Sequence, residues 1–287
     1  MHILKKVWLS YLLKCLSNRL ISTDALINNL QRMKNKFLLL GIALATLSAC
    51  KTASSASSMQ IANVRTQKNI SINNELKNDE EFVKIIEPYK LKLDKEMNQK
   101  ISHTNTDLTK QGDNSNLGNL LADYTFDGAD VWAKKNLQKN VDAALINIGG
   151  IRTTIGKGDI LLKSVFEVMP FENEVIIVKM KGSDLHGLFD YYAEHQVNNP
   201  VSHLYIETNN KQLTKALING KAVNPDQDYY LATSDYLALG GDNMKFFSKG
   251  EMIPTGMKLR DLFIDYFKKN PEVVSNTDVR LNFIGKK

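Results

Sequence analysis

The sequence predicts an α/β domain, and three of its features carry that expectation. Apolar runs rich in β-branched residues, such as Glu174-Val-Ile-Ile-Val-Lys-Met180, read as strands. Stretches with apolar residues at helical spacing, such as Leu259, Leu262, Phe263, Tyr266 and Phe267, read as amphipathic helices. The two kinds alternate from about residue 80 onward, with no repeat or low-complexity block between them.

Taken in order, the folded part begins with a helix over Glu80 to Ile101, whose apolar set is Phe82, Ile85, Ile86, Tyr89, Leu91, Leu93 and Met97, with Pro88 as a break or fresh start. Thr104 to Asn116 is polar and turn-rich. A second helix opens at Leu117-Gly-Asn-Leu-Leu-Ala-Asp123 and continues toward Trp132, placing Asn119 and Asp123 four apart on one face. Ala143 to Ile146 reads as a buried strand that breaks into Asn147, Gly149, Gly150 and Arg152; glycines at such a break allow a positive φ and close approach to the main chain. Lys163 to Met169 forms a short helix stopped by Pro170, and Phe171-Glu-Asn173 is a loop before the strand Glu174 to Met180. Gly182-Ser183 is expected to cap a helix with Leu185, Leu188, Phe189 and Tyr192 as its buried stripe. Leu204 to Glu207 and Leu213 to Asn219 read as paired strands, with Asn219-Gly220 a hairpin-type turn. Tyr229 to Ala232 is a strand that dissolves into Tyr236-Leu-Ala-Leu-Gly-Gly-Asp242, the last helix covers Met257 to Lys268, and Val279 to Ile284 adds an edge strand.

The whole chain has 287 residues, 43% apolar and 24% charged, enough for a sizeable core. Its formal charge of +6 suggests a polyanion partner, yet Lys5, Lys6, Lys14, Arg19, Arg32, Lys34 and Lys36 all precede residue 50, against Asp24 alone. From Cys50 onward 30 basic residues face 30 acidic ones, which argues against nucleic acid as a partner. The segment 33–49 is similar to a bacterial lipoprotein signal: Met33-Lys-Asn-Lys36 is positive, Phe37 to Leu44 is apolar but too short to span a bilayer, and Leu47-Ser-Ala-Cys50 ends it. That likeness implies lipid on Cys50, an anchor in a bacterial membrane and a cell-envelope location facing outside the cytoplasm. Residues 50–78, rich in Ser, Asn and Gln, are expected to be a flexible tether, residues 79–287 the domain, and residues 1–32 a gene-model extension before a true start at Met33.

Three loops share a chemistry. Arg152 offers a fork of donors suited to phosphate, Phe171 and Tyr236 offer faces for a flat ring, and Asp242 beside Gly240 and Gly241 offers acceptors for a pair of hydroxyls. Together these describe a nucleotide. Their order and spacing resemble the C-terminal domain of the 5'-nucleotidase family, whose Asn-Gly-Gly-Gly-Ile-Arg, Pro-Phe-Gly-Asn and aromatic-Leu-Ala-x-Gly-Gly-Asp loops stand here as Asn147-Ile-Gly-Gly-Ile-Arg152, Pro170-Phe-Glu-Asn173 and Tyr236-Leu-Ala-Leu-Gly-Gly-Asp242. The Leu117-Gly-Asn119 helix start is similar too, and the likeness runs from about residue 80 to residue 284.

The resemblance implies a layered domain, sheets within and helices outside, that recognises substrate. Arg152 would grip phosphate, Asn147 orient the substrate, Phe171 and Tyr236 sandwich the base, and Asp242 accept from ribose, while Asn173 and the pairs Gly149-Gly150 and Gly240-Gly241 shape the pocket. The chain departs from the family at four points: Tyr236 replaces phenylalanine, Ile148 and Glu172 replace loop glycines, and Gln111-Gly-Asp-Asn114 stands where an arginine is usual, with Lys110 nearby. Family enzymes carry a two-metal centre in a separate N-terminal metallophosphatase domain. Here His2, His103, His186, His195 and His203 lie far apart, and only Asp184-Leu-His186 matches one ligand motif. The resemblance therefore implies a nucleotide-recognition half without its own metal or cofactor, acting with a separate metallophosphatase chain that holds the divalent metals. Ser164 and Ser234 lack a histidine base in an adjacent motif, so nucleophilic catalysis is not expected of them. The alternative is a nucleoside- or nucleotide-binding lipoprotein with no enzymatic role.

Overall fold

Strand β4 (Glu174–Lys181) sets the layering, because both of its faces are covered. Val175 and Ile177 point into one core, and Ile176, Val178 and Met180 into another, which is why its apolar run is unbroken rather than alternating. A computed structural model of the chain describes residues 76–286 together with residues 69, 71 and 73. The segments expected to be an extension (1–32), a signal peptide (33–49), a lipidation site at Cys50 and a tether (50–78) lie wholly or mostly outside the described residues. Lys77–Lys287 forms one compact unit.

β4 belongs to a five-stranded sheet ordered β10-β4-β9-β2-β5, where β10 is Glu251–Lys258, β9 is Asp228–Ser234, β2 is Ala143–Leu145 and β5 is Val201–Ser202. β2 runs parallel to β9, while β4 runs antiparallel to β9. Helices α2 (Asn116–Asn136) and α6 (Leu259–Lys269) cover one face, with Leu121, Phe263 and Phe267 in that core. The opposite face carries helix α4 (His186–His195) and a second sheet ordered β11-β6-β7-β8, built from Leu281–Ile284, Leu204–Asn209, Gln212–Ile218 and Lys221–Ala222. Tyr192 and Phe247 are fully buried in this second core. A short antiparallel pair, β1 (Lys100–Thr104) with β3 (Gly158–Leu161), and helix α3 (Leu162–Val168) complete the first side. The result is the expected α/β fold in layers of helix, sheet, and helix with a second sheet.

Several boundaries differ from the sequence expectation. The first helix, α1 (Glu80–Met97), passes through Pro88 without a break and stops before Ile101. Asn98 ends it by donating both its amide N–H and its side-chain amide to the carbonyl of Asp94, and Lys100–Thr104 then pairs with β3. No α1 residue is buried; Phe82, Ile85, Ile86, Tyr89, Leu91 and Leu93 are exposed and Met97 is half-buried, so the apolar set does not form a core stripe. Gly182-Ser183 does not cap α4; the helix is preceded by a 3-10 turn over Gly182–Asp184, and its N-cap Leu185 makes no side-chain bond. The last helix begins at Leu259, because Met257 and Lys258 belong to β10. Asn219 and Gly220 do take positive φ, 51° and 72°, and turn β7 into β8; the β6–β7 hairpin is closed by Asn210 and Lys211, also at positive φ.

Candidate functional site

The sheet topology brings the three loops to one edge. β2 and β9 are parallel, so their C-terminal ends lie together, and antiparallel β4 starts where they finish. Asn147 to Arg152 leaves β2, Tyr236 to Asp242 leaves β9, and Phe171 to Asn173 leads into β4. Asn147, Gly149, Arg152, Phe171, Asn173, Tyr236 and Asp242 line one cavity of about 350 Å³. Gly150, Gly240 and Gly241, expected at the site, belong to the same loops but are not among the lining residues.

The glycines act for different reasons. Neither Gly149 nor Gly150 takes a positive φ, against the sequence expectation; Ile148–Gly150 is a 3-10 turn, and a Cβ on Gly150 would meet Asn147 Oδ1 at 3.0 Å. Close approach to Asn147, rather than a left-handed backbone, is what favours glycine there. Gly240 does need its freedom, at φ 94°. Gly241 needs space: an added Cβ would lie 2.6 Å from Cε1 and Cζ of the Tyr236 ring. Two buried side chains outside the sequence motifs hold the loops. Asn199 accepts the Ile148 N–H through Oδ1 at 2.9 Å, and its own carbonyl accepts from Tyr192 at 3.0 Å. Arg260 on α6 ties the Phe171 loop to the body, donating to the Pro170 carbonyl at 3.1 Å and pairing with Glu172, with its guanidinium 4.4 Å from the Phe166 ring. Glu172 is thus the loop's tether to α6. Nothing in the local sequence marks Asn199 or Arg260, since each is recruited from another element.

Phe171 and Tyr236 keep 43% and 44% of their surface exposed at the cavity, which leaves ring faces free for a planar ligand. Arg152 lies 5.8 Å from the Phe171 ring and donates to the Gly149 carbonyl at 3.1 Å. Lys110 donates to the Ile151 carbonyl at 2.6 Å and is not among the lining residues. The Tyr236 hydroxyl donates to Asp242 Oδ1 at 2.7 Å, and this bond to a carboxylate raises the phenol's pKa above its ordinary value. Tyr191 donates to the Asp242 carbonyl at 2.9 Å.

Other singled-out residues have structural roles. Asp123 forms a two-point pair with Arg280 at 2.8 and 2.9 Å, and Asn119 donates to the Asp278 carbonyl at 3.1 Å, so the Leu117–Asp123 segment holds the C-terminal strand. Trp132 packs against the first core. Ser234 caps the short helix α5 (Asp235–Ala238) by accepting from Leu237 N. Ser164 accepts weakly from Leu161 N, at 3.4 Å. His186 bonds the Ser183 carbonyl, and His103 pairs with Asp159. Among the described residues no group of three or more His, Cys, Asp or Glu is arranged to hold a metal ion.

The fold and this edge define an α/β domain whose cavity combines two aromatic faces, a guanidinium and a carboxylate. The profile of the 5'-nucleotidase C-terminal domain matches residues 95–249, more than half of the chain, and the chain belongs to that family. It is 26% identical over 217 residues to Protein UshA of Yersinia enterocolitica, covering 71% of this chain and 37% of that protein. It is 27% identical over 222 residues to an apyrase of Anopheles gambiae, covering 71% and 38%. Among solved structures, a 5'-nucleotidase precursor from Thermus thermophilus superposes with a TM-score of 0.60 at 23% identity, over 73% of this chain and 44% of that one. The Haemophilus influenzae NAD nucleotidase superposes at 0.58 and 20% identity, over 73% and 42%; both likenesses concern the fold. The chain spans less than two fifths of the length of these curated relatives.

Proposed function

We propose that this chain is the nucleotide-recognition half of a 5'-nucleotidase, binding the nucleoside part of a nucleotide and acting with a separate metallophosphatase chain that removes the phosphate. One observation carries the reading: Phe171, Tyr236, Arg152, Asn147, Asn173 and Asp242, delivered by three separate loops, surround one cavity at the sheet edge. The base lies between the two rings, the ribose hydroxyls donate to Asp242, and Arg152 swings from the Gly149 carbonyl to the phosphate. The divalent metals and the attacking water belong to the partner, and this chain contributes binding and orientation. Lipid on Cys50 holds the chain in a bacterial cell envelope, outside the cytoplasm. The test is phosphate release from AMP by candidate metallophosphatases with and without this chain; association with stimulated release supports the reading, and neither defeats it.

A second reading, a nucleoside-binding lipoprotein without an enzymatic partner, draws on one observation. Arg152 and Lys110 both donate to carbonyls of the Asn147–Arg152 loop, at 3.1 and 2.6 Å. Equal affinity for adenosine and AMP favours this reading, and AMP preferred over adenosine favours the first.

A further inference from the structure

Tyr236 and Asp242 make a closed two-point contact inside the cavity. The Tyr236 hydroxyl donates to Asp242 Oδ1 at 2.7 Å and accepts from the Asp242 backbone N–H at 3.2 Å. The ring rests on Gly241, where the carbonyl of Tyr236 and its own ring atoms leave no room for a Cβ. Asp242 stands in the left-handed region, at φ 50° and ψ 26°, and Tyr191 holds its carbonyl at 2.9 Å. Three bonds from two tyrosines thus fix one exposed aspartate in an uncommon backbone conformation. Its Oδ2 has no hydrogen-bond partner among the described residues.

A carboxylate has about four lone-pair sites. The tyrosine occupies one on Oδ1 and so removes rotation of the carboxylate about its last bond, leaving Oδ2 and the second site on Oδ1 as fixed acceptors. Two acceptors at fixed separation suit two hydroxyl donors on adjacent carbons; a single hydroxyl uses only one of them. A carboxylate ordered before the ligand arrives loses less freedom on binding than a mobile one.

We propose that the Tyr236 hydroxyl is a positioning group that makes this pocket selective for nucleosides with an intact ribose diol over their deoxy forms. The inference rests on the nucleoside reading above and adds to it the sugar class and the residue that sets it. The ring face of Tyr236 serves the base, and its hydroxyl serves the sugar through Asp242.

The test is calorimetric titration of the detergent-solubilised full chain and its Tyr236→Phe variant with adenine, adenosine, 2'-deoxyadenosine and 3'-deoxyadenosine. The ring survives in Tyr236→Phe, so adenine affinity is expected to hold. The preference of the wild type for adenosine over either deoxynucleoside is expected to fall by at least about threefold, as expected for loss of one modest hydrogen bond. A preference unchanged in the variant overturns the proposal while leaving the nucleoside reading intact. Equal weakening of adenine and adenosine also overturns it, since Tyr236 then acts through stacking alone. A wild type that binds none of the four ligands defeats both readings together. An independent readout is the ionisation of the Tyr236 phenol followed by NMR: Asp242→Asn is expected to lower the pH at which it titrates, and no change contradicts the contact itself.

Discussion

Replacing the two glycines of the Gly240-Gly241 pair by alanine, one at a time, separates backbone strain from ring displacement. In Gly241→Ala the new Cβ falls 2.5 Å from the Tyr236 carbonyl oxygen and 2.6 Å from two ring carbons. Contacts between carbons settle near about 3.5 to 4.0 Å, so the ring must retreat by roughly 1 Å. Overpacking of this kind costs about 1 to 3 kcal/mol, and the stiffer unfolded chain offsets about 0.4 to 1 of it. A net loss of about 1 to 2 kcal/mol in denaturant unfolding is expected. Gly240→Ala meets no atom within 4 Å but must hold φ 94°. Its cost is a left-handed backbone, again about 1 to 2 kcal/mol. The two variants are therefore similar in stability and different in binding. Only Gly241→Ala moves a stacking ring, a change worth about 1 to 3 kcal/mol, so its adenosine affinity falls roughly ten- to a hundredfold while Gly240→Ala stays near wild type. Calorimetric titration checks this. Equal adenosine affinity in both variants would refute the argument that Gly241 exists to seat Tyr236.

Three further outcomes follow from other parts of the molecule. Arg280→Met removes a guanidinium that donates to Asp123 and to the Val201 carbonyl at 2.8 to 2.9 Å. Breaking a largely buried pair of this kind costs about 3 kcal/mol, measured as a shift in the urea midpoint. Asp127 has its carboxyl pKa raised, first by desolvation and then by Asp123. A raised folded pKa stabilises the native state only below the unfolded value and is lost as pH rises through the folded one. Asp127→Asn is therefore expected to be more stable than wild type at pH 7, by under about 1 kcal/mol for so exposed a group, with the gain vanishing below about pH 4. Cys50→Ser is expected to abolish incorporation of labelled fatty acid and to move the protein from the membrane to the soluble fraction, which fractionation of expressing cells reads directly.

Much of the fold was legible because burial leaves a periodic signature. β4 carries an unbroken apolar run since both its faces are covered, and α6 carries a clean stripe since only one of its faces is. β10 was not legible: Pro254 and Gly256 break its pattern, as an edge strand tolerates, because only one of its sides pairs within the sheet. The end of α1 is hidden in the sequence because Ile101 continues its helical spacing, whereas the bond from Asn98 to the Asp94 carbonyl, not the apolar pattern, decides where it stops. The three loops were readable one by one from their residue types. That they meet depends on β2 and β9 being parallel and β4 antiparallel, a long-range pairing that no local pattern encodes. The same holds for Asn199 and Arg260, which support the loops from elements far away in sequence.

The central claim is that the Phe171 and Tyr236 rings form a nucleoside site with Asp242 and Arg152. The most direct measurement is calorimetric titration of the detergent-solubilised full chain with adenosine and AMP, beside Phe171→Ala and Tyr236→Ala. Loss of either ring is expected to cost about 1 to 3 kcal/mol of binding. AMP binding more tightly than adenosine, with the difference abolished in Arg152→Ala, places Arg152 on the phosphate. A wild type that binds neither ligand, or ring variants that bind both as tightly as the wild type, contradicts the account.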